Sequence, residues 1–318
     1  MKNIYSNIYK PNLINLKKAK KNIKNNNLIG LPTETVYGLA GNAYSEKSIK
    51  KIFLLKKRPY LNPLIVHFRD LRDLKKDADY NDYFIKLYRS LCPGPITFIL
   101  KKKNDSKISK IANAGKKTIA VRFPKHKITR ELLKLINLPL AAPSANISSK
   151  LSPTSAEDVV DEFGKKLNFI LDGGRCVIGL ESTIIDLTNY PTILREGSIP
   201  AKEIETILGK KIIINKKPKL GKSPGQFKLH YSPGIPVFMN KKKAKKNEAF
   251  ITFGKKFKDA NNHFNLSKKN DLNEAANNLY KIMRKIKKEK YKSILVCKIP
   301  NKGIGRAIND RLVKASYK

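Results

Sequence analysis

Apolar residues in this chain fall into short runs whose spacing switches between two and three to four, with polar turns between them. Leu28, Ile29 and Leu31 predict a short buried strand that stops at Pro32, because proline cannot donate to a ladder. The stretch from Thr33 to Gly38 is then a strand-end loop. Ser45 is an N-cap candidate, and Ile49, Ile52, Phe53 and Lys56 follow at helical spacing. Pro59 ends that helix, since the residue before a proline is pushed out of the α region. A strand over 64–68 comes next. Tyr80, Phe84, Leu87, Tyr88 and Leu91 predict one helix over 70–90, broken by Cys92-Pro93-Gly94-Pro95.

Further strands are predicted over 96–100 and 118–121, a helix over 128–136 and a strand over 138–142. Thr154-Ser155-Ala156-Glu157 reads as a capping box, with Thr154 as the cap of a helix reaching about residue 166. Ser152 and Thr154 then lie near a helix N-terminus, where N–H groups and the dipole favour an anion. Strands over 169–171, 182–187 and 192–194 and a helix over 204–208 complete the first part. Many short strands mixed with helices, without strict βαβ alternation, predict an α+β fold on a mixed twisted sheet. Residues 1–209 form that domain. Residues 210–235 are rich in lysine, glycine and proline and lack periodicity, so a linker is expected. Residues 236–318 predict a small three-layer α/β domain, with strands over 249–253 and 293–298, a helix over 272–288 and a closing helix carrying Ile304, Ala307, Ile308 and Leu312.

The 318 residues, 41% of them hydrophobic, suffice for two cores. No apolar run approaches the roughly 18 residues that span a bilayer, and the first 27 residues lack the apolar region of a secretory signal. A cytoplasmic protein without membrane association is expected. The three cysteines and four histidines show no metal-ligand spacing. A net charge of +42 points to nucleic acid. The lysines are spread over every predicted element, however, so the charge locates no site; weak RNA binding is the most it implies.

Candidate chemistry changes the picture more. There is no Ser-His-Asp or Cys-His arrangement, no paired carboxylates and no Walker-type glycine loop. Instead Lys56, Arg58, Arg122 and Arg195 stand at element ends beside the neutral donors Thr35, Asn62, Ser144, Asn146, Ser152 and Ser182. Such a set binds anions and steadies charge developing on phosphate, so catalysis would come from positioning and electrostatics. Glu34 and Glu181 are expected to organise loop amides.

These residues also carry a resemblance. Pro32-Thr33-Glu34-Thr35-Val36-Tyr37-Gly38-Leu39, Lys56-x-Arg58-Pro59, Asn62-Pro63-Leu64-Ile65-Val66-His67, Ser144-Ala145-Asn146 with Ser152-Pro153-Thr154, and Gly179-Leu180-Glu181-Ser182-Thr183-Ile184 together resemble the YrdC-like family. His230-Tyr231-Ser232-Pro233 and the tail from Gly303 to Leu312 resemble its long form, which carries a C-terminal extension domain. Pro143 and Ser149-Lys150 depart from the family pattern at a hydroxyl and a glycine position. The resemblance implies that L-threonine and bicarbonate form a carbamate, which attacks the α-phosphate of ATP and releases pyrophosphate. It places Thr35, His67, Arg122 and Ser182 near threonine. It places Lys56, Arg58, Asn62, Thr118, Ala142, Ser144, Asn146, Ser152, Arg195 and Tyr231 on the nucleotide side, with Lys56 and Arg58 as the catalytic pair. Mg²⁺ would arrive on ATP, with no protein metal site. The product would feed a tRNA threonylcarbamoyl transferase complex. The competing expectation is an RNA-binding or ribosome-associated module without this activity. Finally, Ser223-Pro224-Gly225 and His230-Tyr231-Ser232-Pro233 fix a path rather than tether passively, so the linker is expected to fold back over the nucleotide site with Tyr231 at the ATP end.

Overall fold

A computed structural model describes residues 5–215 and 230–317. Its first elements are β1 (Ile8–Tyr9), α1 (Leu13–Lys24), β2 (Ile29–Leu31) and β3 (Gly38–Asn42). Helix α2 (Glu46–Lys56) starts where expected, because the Ser45 side chain accepts the Ser48 N–H, and it ends at Lys57 in the left-handed conformation. After β4 (Ile65–His67) the single helix expected over 70–90 is instead α3 (Leu71–Leu74), β5 (Ala78–Asp79) and α4 (Asp82–Leu91). Two caps cause the split: Asp70 accepts the N–H groups of Arg72 and Asp73, and Asn81 accepts that of Phe84. Each offers the backbone a helix start rather than a helix interior.

Next come β6 (Ile96–Lys102), β7 (Thr118–Arg122), α5 (Lys127–Ile136), β8 (Leu140–Ala141), α6 (Ala156–Phe163), β9 (Ile170–Leu171), β10 (Thr183–Asp186), β11 (Thr192–Arg195) and α7 (Ala201–Leu208). The cap of α6 is Ser155, which accepts the Asp158 N–H, and not Thr154. Thr154 lies one residue too early and bonds the Asp158 carboxylate instead. The first residues of the expected linker continue the sheet as β12 (Ile213–Ile214), parallel to β11.

Twelve strands form one mixed sheet in the order β1-β9-β2-β3-β8-β4-β7-β6-β10-β11-β12, with β5 on the edge of β6. Period two divides its side chains between layers. Val66, Phe98 and Val121 join a core with α2, α4 and α7, while Ile65, Ile99, Ala120, Ile184 and Leu194 form an apolar cluster among themselves. That second cluster is the floor on which the site is built.

The remaining elements are β13 (Val237–Phe238), β14 (Ala249–Thr252), β15 (His263–Asn265), α8 (Leu272–Lys288), β16 (Ile294–Val296) and α9 (Gly305–Ser316). Their four strands are all parallel, in the order β13-β16-β14-β15. The core of this half also takes in Val36, Leu151 and Leu180 from the first half and Tyr231. The halves are joined by polar contacts as well: Arg284 donates to Glu162 and to the Leu151 carbonyl, and Lys288 pairs with Asp161 at 2.8 Å. Among the described residues no helix is long and apolar enough to cross a membrane.

Candidate active site

Strands β4, β7 and β10 bring the site together. In the parallel pair β4–β7, His67 stands beside Arg122 and Ile65 beside Ala120. Ser182 precedes β10, and its hydroxyl meets that of Thr97 at 2.7 Å. Alternation puts Ile65 with His67 and Ala120 with Arg122 on one face, so an apolar floor carries polar groups at its end. Walls rise from the loop after β2 (Thr33, Val36, Tyr37), the loop after β8 (Ala142, Pro143, Ser144), Arg58, Glu181, Arg195, His230 and Tyr231. Between these walls a partly open cavity of about 50 Å³ remains, enough to hold a few water molecules.

Three arginines in this wall are nearly inaccessible. Arg122 donates to Glu34 at 2.7 Å. Burial would raise the Glu34 carboxyl, but Arg122 and the Lys125 N–H outweigh it and hold it below its ordinary value. Arg58 donates to the Asn62 and Pro63 carbonyls at 2.9 and 2.8 Å, and Arg195 to the Ser182 carbonyl and hydroxyl. Among the described residues, neither Arg58 nor Arg195 has a carboxylate at ion-pair distance. Burial and then the neighbouring Arg195 bring Arg58 down to about 9, which still leaves it charged at neutral pH. Among the described residues His67 has no hydrogen-bond partner on either ring nitrogen. Burial, then Arg122, push it well below 6.5, so its imidazole is neutral.

Of the residues expected near threonine, His67, Arg122 and Ser182 line the cavity, and Thr35 does not. Thr33 takes that place, and its hydroxyl lies 2.9 Å from that of Thr35 behind it. On the expected nucleotide side, Arg58, Ala142, Ser144, Arg195 and Tyr231 line the wall. Lys56 lies underneath: its ammonium donates to the Ser144 and Asn146 carbonyls, so it shapes the loop that presents Ser144. Burial and then Arg58 lower its pKa well below the ordinary value. Lys56 therefore does not line the cavity that Arg58 faces. Asn146 spends its amide N–H groups on the Ile147 and Lys150 carbonyls, and Ser152 donates to Glu181 at 2.6 Å. Thr118 begins β7, four residues from Arg122, or about 13 Å at the rise of a strand. It pairs with Lys101 of β6, and the β4–β7 ladder begins beyond it, at Ile65 and Ala120. The lining residues of both groups share one cavity, with Arg195 bonded directly to Ser182, while Lys56, Asn62, Thr118, Asn146 and Ser152 are not among its lining residues.

His230 and Tyr231 close the cavity from outside the sheet. The His230 N–H donates to the Lys314 carbonyl, and the Ser232 N–H to that of Ser149, so this strap is pinned to both halves. Tyr231 has a left-handed backbone (φ 60°), is 1% exposed, and has no hydrogen-bond partner for its hydroxyl among the described residues. Burial pushes His230 down to about 3 and Tyr231 up to about 12, so both rings are neutral. Ser223-Pro224-Gly225 lies outside the described residues.

Glu181 holds the site to the second half, which the sequence did not reveal. Its carboxylate accepts from Ser152, from the Tyr280 hydroxyl at 3.2 Å and from Arg311 Nε at 3.0 Å. Burial acts to raise its pKa, yet Arg311 and then Arg195 hold it down at about 2. Tyr280 and Arg311 sit 99 and 130 positions away, and no local spacing signals such a contact.

A mixed twisted sheet that gathers arginines and hydroxyls at strand ends, under a strap from a smaller parallel domain, defines the two-domain YrdC-like architecture. Residues 21–197 match the Sua5/YciO/YrdC family, described as "Telomere recombination", and residues 199–316 match "Threonylcarbamoyl-AMP synthase, C-terminal domain". Threonylcarbamoyl-AMP synthase of Pyrococcus abyssi is 38% identical, with 92% of each chain covered. That of Bacillus subtilis is 33% identical, with 92% of this chain and 90% of its own covered. The crystal structure of P. abyssi Sua5 complexed with L-threonine superposes with a TM-score of 0.87 at 36% identity, covering 95% of this chain and 94% of that one. The chain belongs to the threonylcarbamoyl-AMP synthase family, in its long form with a C-terminal domain.

Proposed function

We propose that this protein condenses L-threonine, bicarbonate and ATP into threonylcarbamoyl-AMP with release of pyrophosphate, for the threonylcarbamoyladenosine modification of tRNA. The observation that carries the reading is the pair Arg58 and Arg195, buried in a cavity wall with no carboxylate at ion-pair distance among the described residues. A buried charge costs several kcal/mol unless something of opposite sign joins it, and a polyphosphate supplies that charge. The threonine end would be His67, Arg122, Thr33 and Ser182, with Thr35 acting through Thr33. The nucleotide would run along β4 and β7 toward Arg58, Asn62 and Thr118, over Ala142 and Ser144 and under Tyr231.

The carbamate formed from threonine and bicarbonate attacks the α-phosphorus; the bond to the bridging oxygen breaks and pyrophosphate leaves. Arg58 and Arg195 stabilise the negative charge that builds on the phosphate oxygens, and Lys56 and Asn146 hold the Ser144 loop in place. Mg²⁺ would enter on the triphosphate. Both carboxylates of the site are already engaged, Glu34 by Arg122 and Glu181 by Arg311, so the ion would keep ATP oxygens and water as ligands. Substrates would enter as the His230–Tyr231 strap, a loop pinned by backbone bonds to Lys314 and Ser149, swings outward. Reclosure would shield the adenylate from water. Purified protein with ATP, threonine and labelled bicarbonate should release pyrophosphate and form a labelled adenylate only when all three are present. Equal release without threonine would refute the reading.

A further inference from the structure

Arg311 of α9 is the largest fully buried side chain described, at 1% exposure. Its Nε donates to Glu181 at 3.0 Å, and its Nη1 donates to the Glu196 carbonyl at 2.8 Å, immediately after Arg195. Its guanidinium carbon lies 5.2 Å from the centre of the Tyr231 ring, which places a cation on an aromatic face. Asp310 also accepts from Nη1, and Lys314 in turn pairs with Asp310. The Glu181 oxygen that Arg311 leaves free takes the Ser152 hydroxyl. One side chain of the second half therefore touches or orients Tyr231, Arg195 and Ser152, all at the nucleotide end. At the threonine end it reaches only Ser182, and only through Arg195 and Glu181, whereas β4, β7 and Glu34 fix His67 and Arg122.

We infer that Arg311 is a positioning residue for the nucleoside triphosphate: docking of the C-terminal domain, through this guanidinium, seats Glu181, Arg195 and Tyr231 in their ATP-binding arrangement. The inference rests on the synthase reading for the identity of the ligand. Its mark is selectivity. A residue that only held the two halves together would disturb both ends of the cavity or neither. Arg284, which joins the halves through Glu162, Asp158 and the Leu151 carbonyl, has no polar contact with a wall residue among the described residues and serves as that control.

The test uses the full chain. ATP affinity is measured by calorimetry without threonine, and KM for threonine by pyrophosphate release. Arg311→Met should weaken ATP binding at least tenfold and leave the threonine KM within twofold, while Arg284→Ala leaves ATP binding within twofold although its melting temperature falls. Arg311→Lys keeps the charge but not the fork and should give an intermediate loss with the same selectivity; it replaces the methionine variant if that one does not fold. Equal losses for ATP and threonine, or the same ATP loss in Arg284→Ala, would overturn the inference. If wild-type protein binds ATP but releases no pyrophosphate with threonine and bicarbonate, the synthase reading fails while the calorimetry still judges Arg311. Wild-type protein that binds no ATP would overturn both.

Discussion

Arg58 and Glu181 show how burial sets the task of a single residue. The Arg58 guanidinium is held in plane by two carbonyls, so it faces the cavity already oriented, and no reorganisation is needed when charge develops on phosphate. Arg58→Ala is therefore expected to lower the rate of pyrophosphate release a hundred- to thousandfold, or roughly 2.7–4 kcal/mol. Arg58→Lys should recover only part of this, since a point charge cannot keep both carbonyl bonds and a phosphate contact. An alanine variant within twofold of wild type would remove Arg58 from the site. Glu181 titrates near 2 when folded against an ordinary 4.5. A depressed carboxylate stabilises the fold above its ordinary value and loses that contribution as pH falls toward the folded one. The contribution amounts to about 3 kcal/mol at neutral pH. Glu181→Gln should thus melt lower than wild type at pH 7, and the gap should narrow below about pH 4.5 and close near pH 2. A gap that stays constant with pH would mean that Glu181 carries no buried charge.

At the scale of elements, what could be read in advance depended on distance along the chain. Helix α2 with its Ser45 cap and strands β4 and β7 follow from local spacing, whereas the grouping of His67, Arg122 and Ser182 was implied by the family resemblance; together with Arg58 these three line one cavity. The helix expected over 70–90 failed because apolar spacing alone ignored the competing caps Asp70 and Asn81. The surroundings of Lys56 were not legible for another reason: a lysine at a helix end looks solvated or ligand-facing, and only the fold reveals the Ser144 and Asn146 carbonyls at its ammonium. The strap is an intermediate case. Its turn residues were legible, but its pinning to Ser149 and Lys314 was not. Because those pins are backbone bonds, replacing residues 230–235 by a Gly/Ser segment of equal length should leave both halves folded and remove the two rings from the wall. Turnover should fall at least tenfold, and the fraction of adenylate lost to hydrolysis should rise. Unchanged turnover and adenylate yield would reduce the strap to a tether.

For the molecule as a whole, the site is complete only while the two halves stay docked, and one glycine controls how closely they approach. Gly179 has φ +77°, a conformation that costs other residues roughly 1–2 kcal/mol. A Cβ there would also lie 2.7 Å from the Cα of Asn277 and 2.9 Å from the carbonyl oxygen of Ala276, both backbone atoms of α8. Backbone of a helix cannot step aside as a side-chain tip can, so Gly179→Ala must displace α8 or the loop that leads to Glu181 and Ser182. Either movement pulls Tyr280 away from Glu181 and loosens the Asn277 bond to the Cys176 carbonyl. The variant is expected to lose about 2–4 kcal/mol of stability, from the strained φ together with the overpacked contact. It should also bind ATP more weakly and be cut faster by protease between the halves. If Gly179→Ala melts with wild type and keeps its ATP affinity, the close approach of α8 does not hold the site together, and the coupling between domain docking and nucleotide binding must be abandoned.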